Sequence, residues 1–248
     1  MVGASHRRSL AGCALGTAAV GMMYASTSPS QRGNTASLPE AMREALHIDA
    51  TAAGYLHASV FGVILPLLAM IYGVATGSRA IASDEESGQL DLLLAHPLIR
   101  TRLALQRFGA LAIGAVTISL LVWLALLAIR DSAQLTSITP TEFLAQCLNL
   151  ALLAITFGAL ALGIGAAGGR RAVVLATSAV IGVLAYTANT FAAQIGADWI
   201  AYLSPFHYYI DGEPLKNGFQ WADATALVGI TAVIVSASTF RFNRRDLG

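Results

Sequence analysis

The chain has 248 residues, of which 56% are hydrophobic and only 12% charged. Soluble domains carry about 25% charged residues, so the composition excludes an ordinary soluble fold and points to the membrane. A net charge of +1 gives no electrostatic footprint for nucleic acid, and Cys13 and Cys147 both lie in apolar runs, which implies no disulfide framework.

Six apolar segments follow one another, over residues 10–26, 55–77, 108–129, 143–167, 172–195 and 222–240. Each is close to the ~20 residues that cross a hydrocarbon core as a helix. Apart from their extreme ends none carries Asp, Glu, Lys or Arg. The expected fold is therefore all-α, a polytopic bundle of six transmembrane helices forming a single domain over 1–248.

The first segment follows His6-Arg7-Arg8 and resembles a secretory signal. Leu10-Ala11-Gly12-Cys13 even resembles a lipoprotein cleavage box. That box falls at the start of the apolar run, with no hydrophobic region ahead of it, so an uncleaved span is expected. Gly12 and Gly16 form a GxxxG pair, the spacing that lets helix backbones approach in a bilayer. Residues 27–54, broken by Pro29, Gly33 and Pro39, read as an outer loop with a short helix from Pro39 through Leu46. The second span carries Pro66, which should kink it.

After that span comes the most charged stretch of the chain, Ser83-Asp84-Glu85-Glu86-Ser87-Gly88-Gln89-Leu90-Asp91-Leu92-Leu93-Leu94-Ala95-His96-Pro97. Ser83 and Glu86 have capping-box spacing, and the three acids suit the positive end of a helix dipole. Leu90, Leu93 and Leu94 share one face. Pro97 ends the helix at His96, and Thr101 is placed to cap the next one. A charged amphipathic helix over 83–97 between two spans lies at a membrane surface, and we read it as a docking element for a cytoplasmic partner.

The third span ends at Arg130-Asp131 in a short loop through Pro140. The fourth finishes in Gly163, Gly165, Gly168 and Gly169. No strand precedes these glycines and no lysine follows, so they read as packing residues rather than a phosphate loop. Arg170-Arg171 marks a tight turn into the fifth span. Residues 196–221 are aromatic and mostly apolar, yet too short to cross, which suggests helices dipping into the outer leaflet; Asp211-Gly212-Glu213 reads as a turn.

Placing both termini in the cytoplasm puts eleven basic residues inside (Arg7, Arg8, Arg79, Arg100, Arg102, Arg107, Arg170, Arg171, Arg241, Arg244, Arg245). Four fall outside, namely Arg32, Arg43, Arg130 and Lys216. That asymmetry is the positive-inside pattern, and the same orientation sets Trp123, Trp199 and Trp221 toward the outer interface.

No catalytic or metal constellation is visible. The histidines are scattered, the spans lack the ionisable groups that ion-coupled carriers use, and there is no nucleotide-binding motif. If the chain transports, its energy comes from another polypeptide, and 83–107 is where that input arrives. A non-transporting membrane anchor or regulatory subunit, or a lipid-modifying membrane enzyme, are the rival readings.

Three motifs carry a family resemblance. They are Glu85-Glu86-x-Gly88-x-Leu90-x-Leu92-Leu93-Leu94-x-x-Pro97-x-x-Arg100, Leu203-Ser204-Pro205-Phe206, and Arg244-Arg245-Asp246. Together they resemble the permease subunits of type-2 ABC exporters, the multidrug and polysaccharide export family. The resemblance implies a bacterial cytoplasmic-membrane half-transporter that pairs with a second permease half and with two copies of an ATPase subunit. ATP and Mg would be bound by that ATPase, with no cofactor in this chain. It implies ATPase coupling through Glu85, Glu86, Gly88, Asp91, Pro97 and Arg100. It further implies an outer gate of re-entrant helices with Trp199, Tyr202, Ser204, Pro205 and Phe206, and dimer packing near span one at Gly12 and Gly16. Such permeases also carry an interfacial elbow helix before span one, for which nine residues leave little room.

Overall fold

The structure is a computed structural model that describes residues 56–86, 99–131, 135–167, 170–192 and 196–243. A π-helix (His57–Ile64) leads directly into α1 (Leu65–Glu86). Then come α2 (Ile99–Ile129), α3 (Pro140–Ala166) and α4 (Arg171–Phe191). A 3₁₀ turn (Asp198–Leu203) and two short helices, α5 (Pro205–Ile210) and α6 (Pro214–Asn217), precede α7 (Trp221–Asn243). Among the described residues the fold is all-helical.

Five stretches are long and apolar enough to cross a membrane: Val60–Arg79, Ala104–Ile129, Pro140–Ala166, Arg171–Phe191 and Trp221–Arg241. They coincide with the second to sixth expected spans to within a few residues. The fifth is shorter than expected, its helix closing at Phe191 rather than near Ile195. The first span with Gly12 and Gly16, and the Pro39–Leu46 helix, lie outside the described residues.

α3 is the axis of the bundle, packed against α1, α2, α4, α5, α6 and α7. Its start is built from sequence. Thr139 accepts from the Glu142 amide at 3.3 Å, Glu142 Oε2 accepts from the Thr139 amide at 2.7 Å, and Pro140 needs no donor partner at the first helical position. The preceding loop is closed by Arg130, whose guanidinium donates to the carbonyls of Ile138 at 3.0 Å and Thr136 at 2.8 Å.

In lipid the hydrophobic effect does not pull helices together, so small residues and hydroxyls decide the packing. A Cβ at Gly73 would fall on the carbonyl of Ala154, and one at Gly77 on the carbonyl of Gly158. α1 and α3 therefore touch backbone to backbone along Gly73-Val-Ala-Thr-Gly77. Gly158 in turn admits Leu111 of α2. On the other side of α3, Thr156 and Thr231 pair their hydroxyls at 2.8 Å, and Gly163 admits Ser238 of α7. The glycines of the fourth span thus include packing residues, as their composition suggested.

Two expectations about local starts are corrected. Ser83 does not begin a helix, because α1 runs unbroken through Ala80-Ile81-Ala82 to Glu86. A capping box requires a non-helical N-cap with orphan amides beyond it, and here the preceding residues are helix formers that carry the α-conformation through. Thr101 is likewise inside a helix, since α2 is already formed at Ile99.

Candidate functional site

Pro66 sets the geometry at the end of the bundle where the 196–218 segment packs against the π-helix, α3, α4 and α7. It has no amide hydrogen, so neither Gly62, four residues back, nor Phe61, five back, can receive a bond from it. The chain ahead of it widens into the π-helix, with Leu65 donating to Val60 five residues away. π-Turns of this kind concentrate at functional sites. Both stranded carbonyls are met from outside α1. The Tyr186 hydroxyl of α4 donates to Gly62 O at 3.2 Å, and the Tyr209 hydroxyl of α5 donates to Phe61 O at 3.0 Å. Neighbouring helices thus re-satisfy the backbone that a proline frees within a membrane bundle.

Around this junction the 196–218 segment folds inward. Ser204 is buried and caps α5, accepting from the Phe206 amide at 3.2 Å while donating to Ala185 O of α4 at 2.8 Å. Phe206 is buried against Phe157, at 5.5 Å between ring centroids, and edge-on to Tyr186 at 5.3 Å. Burial pushes the Tyr209 phenol well above its ordinary range, which keeps the hydroxyl a neutral donor. Leu215 of α6 is buried in the same core, and Phe61 is fully enclosed.

An apolar cleft of about 190 Å³ opens beside the junction, between α1 and α4. Val63, Leu67 and Met70 form one wall, Gly182, Val183 and Tyr186 the other, with Phe206 at its base. A second cleft of similar volume lies between α2 and α3, reaching Cys147 and capped by Phe219. Neither presents a charged side chain. Among the described residues no three His, Cys, Asp or Glu side chains gather as a metal site.

The polar rim is a separate cluster. His207 Nδ1 lies 2.6 Å from Asp211 Oδ2, and Asn189 of α4 donates to Asp211 Oδ1 at 3.3 Å. Asp211-Gly212-Glu213 is a turn, with Glu213 in the left-handed region at φ 46° and paired to Lys216 at 3.1 Å. His207, one of several scattered histidines in the sequence, is therefore bound at i,i+4 spacing.

One comparison with known proteins is decisive. A family described as the C-terminal domain of the multidrug efflux system permease Rv1217c matches residues 2–243. The chain belongs to that family. No curated protein and no solved structure matches it. It is a multi-pass membrane permease of an efflux system, a transporter subunit that works with other transport components.

In this efflux permease the expected gate residues divide. Ser204 and Phe206 join the junction and Pro205 begins α5, whereas Trp199 and Tyr202 are largely exposed, at 67% and 60%. Tyr202 stacks edge-on against His207, 4.5 Å away, and its carbonyl accepts from Tyr208 at 3.0 Å. The coupling residues fall elsewhere. Glu85 and Glu86 occupy the last described turn of α1, and Arg100 sits in the first turn of α2. Gly88, Asp91 and Pro97 lie outside the described residues, as does most of the 83–97 segment. Residue-by-residue reading missed Tyr186, Tyr209 and the Gly73–Gly77 seam. Pro66 signalled the first two, since it demands outside donors, and GxxxG spacing signalled the third.

Proposed function

We propose that this chain is the membrane-spanning permease subunit of an ATP-driven exporter. The match to an efflux permease domain over residues 2–243 carries the reading. The near absence of charge from the described spans supports it, because a bundle without ion-relay groups takes its energy from a partner. Six spans, the first over 10–26, cross the bacterial cytoplasmic membrane with both termini inside. Two such halves, packed partly through Gly12 and Gly16, enclose the pathway, and two ATPase subunits carrying ATP and Mg bind below. Residues 83–97 take the push of ATP-driven closure through Glu85, Glu86, Gly88 and Asp91, with Pro97 and Arg100 at the following turn. The segment 196–221 re-enters the outer leaflet and shapes the outer gate. The apolar walls of the α1–α4 cleft suit apolar or amphipathic cargo, which they would select by shape rather than by charge.

Reconstitution together with a candidate ATPase subunit tests this reading. ATP-dependent movement of an amphipathic dye is expected, and its loss in Glu86→Lys with membrane insertion intact. Full transport by that variant would remove the coupling role. Tagging or protease protection that places Glu86 on the outer side would overturn the topology.

A further inference from the structure

Two glycines of the bundle admit a neighbour closely, and the neighbours differ in kind. At Gly73 the atoms a Cβ would meet are backbone of α3, which cannot turn aside. At Gly182 of α4 a Cβ would fall on Met70 Sδ, and the next two atoms are Cγ and Cε of the same side chain. The Met70 thioether of α1 is thus seated in the notch that the missing Cβ leaves. Methionine is unbranched, with three rotatable bonds and a polarizable sulfur, so this seat holds a side chain that can leave it. Met70 and Gly182 both line the α1–α4 cleft, which makes the cleft the open space beside the notch. Whatever the notch cannot hold, the cleft must.

The cleft has the dimensions of a small ring system. An engineered apolar cavity of about 150 Å³ takes benzene, and this cleft measures about 190 Å³. Tyr186 and Phe206 stand edge to face at 85° with centroids 5.3 Å apart, so an aromatic guest meets rings in two orientations as well as a sulfur. From Val63 to Met70 the α1 wall is about 10 Å long, short of the ~15 Å depth of one leaflet, and Phe206 closes the base. That is room for a compact molecule rather than for an acyl chain.

We propose that Met70 and Gly182 together set the size of cargo this cleft accepts, and that the cargo is a flat apolar molecule of one or two rings. With the thioether in the Gly182 notch the cleft keeps its full volume. A side chain at residue 182 evicts the thioether into the cleft and takes away the space a second ring would fill. Truncation of Met70 does the reverse, adding the emptied notch to the cleft. The inference rests on the proposed reading of the cleft as a cargo site, and it adds which pair of residues measures the guest.

The test is methyl NMR of the whole chain in lipid nanodiscs, with labelled valine and methionine and with naphthalene and pyrene as probes. Val63 and Val183 report the cleft walls, whereas Val228 and Val233 of α7, exposed away from it, report partition into the lipid. Naphthalene should shift Val63 and Val183 saturably and leave the α7 pair unmoved. Gly182→Ala should weaken naphthalene about tenfold or more, the scale on which an apolar pocket senses a methylene. In the same variant without probe, the Met70 methyl should move under the rings of Tyr186 and Phe206. Met70→Ala should tighten pyrene about tenfold, and in that background Gly182→Ala should change either probe by less than about twofold, because the side chain it evicts is gone.

Full naphthalene affinity in Gly182→Ala, an equal penalty from Gly182→Ala in the Met70→Ala background, or an unmoved Met70 methyl would each overturn the proposal. A chain-spin-labelled phospholipid that broadens Val63 and Val183 and is not displaced by naphthalene would assign the cleft to an acyl chain and overturn it as well. If Gly182→Ala fails to insert, Met70→Ala decides alone, and no gain for pyrene is then the refuting result. ATP-driven dye transport is measured alongside. Its absence with naphthalene binding intact removes the exporter reading and leaves the size-setting pair, whereas naphthalene binding that ignores both substitutions removes the pair and leaves the cleft as a cargo site.

Discussion

Replacing Gly73 with alanine should push apart the two most intimately packed helices of the bundle. The added Cβ would meet the carbonyl of Ala154 and, at 2.9 Å, the amide nitrogen of Gly158. Both obstacles are backbone of α3, so no rotamer change relieves them. Ordinary contact requires the helices to separate by roughly 1 Å, and a gap of that order forfeits a quarter to a half of each dispersion contact across the crossing. Overpacking in a tight core costs about 1–3 kcal/mol, and a rigid backbone obstacle belongs at the upper end of that range. Alanine recovers roughly 1 kcal/mol over glycine in helix propensity, which leaves a net loss of about 1–2 kcal/mol.

The control is Gly229→Ala in α7, where a Cβ meets nothing within 4 Å. Only the propensity gain operates there, so the sign reverses. For a chain of this length each kcal/mol moves the melting temperature by about 2–4 °C. Gly73→Ala should therefore melt about 2–8 °C lower than the unsubstituted protein and Gly229→Ala about 2–4 °C higher. Tryptophan fluorescence during heating in detergent reads both. A Gly73→Ala protein that melts at or above the unsubstituted one would refute the backbone contact between α1 and α3.

Further outcomes follow from the junction and the cleft. Ser204→Ala loses both the cap on the Phe206 amide and the tie to Ala185, and should cost about 1–2 kcal/mol; faster proteolysis within 196–218 checks it. Phe206→Ala empties the space between Phe157 and Tyr186 and should cost about 3–5 kcal/mol, with Phe206→Leu retaining much of that stability in the same thermal assay. Val183→Trp fills the α1–α4 cleft from a half-exposed position. Under the proposed function it should reduce dye transport while leaving the melting temperature within a few degrees, and undiminished transport would remove the cleft from the substrate path.

The spans were legible because hydropathy and flanking arginines are local signals; Arg130 and Arg171 mark helix ends in sequence and structure alike, whereas Arg79 closes the apolar stretch of α1 but not its helix. Capping chemistry was legible only in part. Ser83-Asp-Glu-Glu86 and Thr139-Pro-Thr-Glu142 carry the same pattern, yet only the second starts a helix. Pro140 breaks the chain ahead of the second, whereas helix-forming residues run straight into the first. The junction itself was hidden by distance along the chain. Tyr186 and Tyr209 reach partners 124 and 148 residues away, so no window of sequence contains both ends of either bond. Ser204 and Phe206 were separable from Trp199 and Tyr202 only once the fold showed which side of the short helices faces α4.

Most hydroxyls in the long helices return to their own backbone, as Thr76 does to Tyr72, Thr117 to Ile113 and Thr190 to Tyr186. Such bonds satisfy a polar group in lipid but tie no helix to another. The ties that do cross helices are fewer, and three of them (Tyr186 to Gly62, Tyr209 to Phe61, Ser204 to Ala185) meet within one small volume. An interhelical hydrogen bond in a membrane contributes about 0.6–2 kcal/mol, so three together hold α1, α4 and α5 far more firmly there than any one would. Farther along, α1 meets α3 backbone to backbone at Gly73 and Gly77, and beside this seam the Tyr72 hydroxyl donates to Leu111 O of α2 at 3.5 Å. The helix is therefore held at Phe61–Gly62 by hydrogen bonds and at Gly73–Gly77 by backbone packing, and both lie well short of its far end. That end lies at Glu86, roughly 30 Å along the axis from Pro66, where the proposed ATPase contact would act with the longest arm.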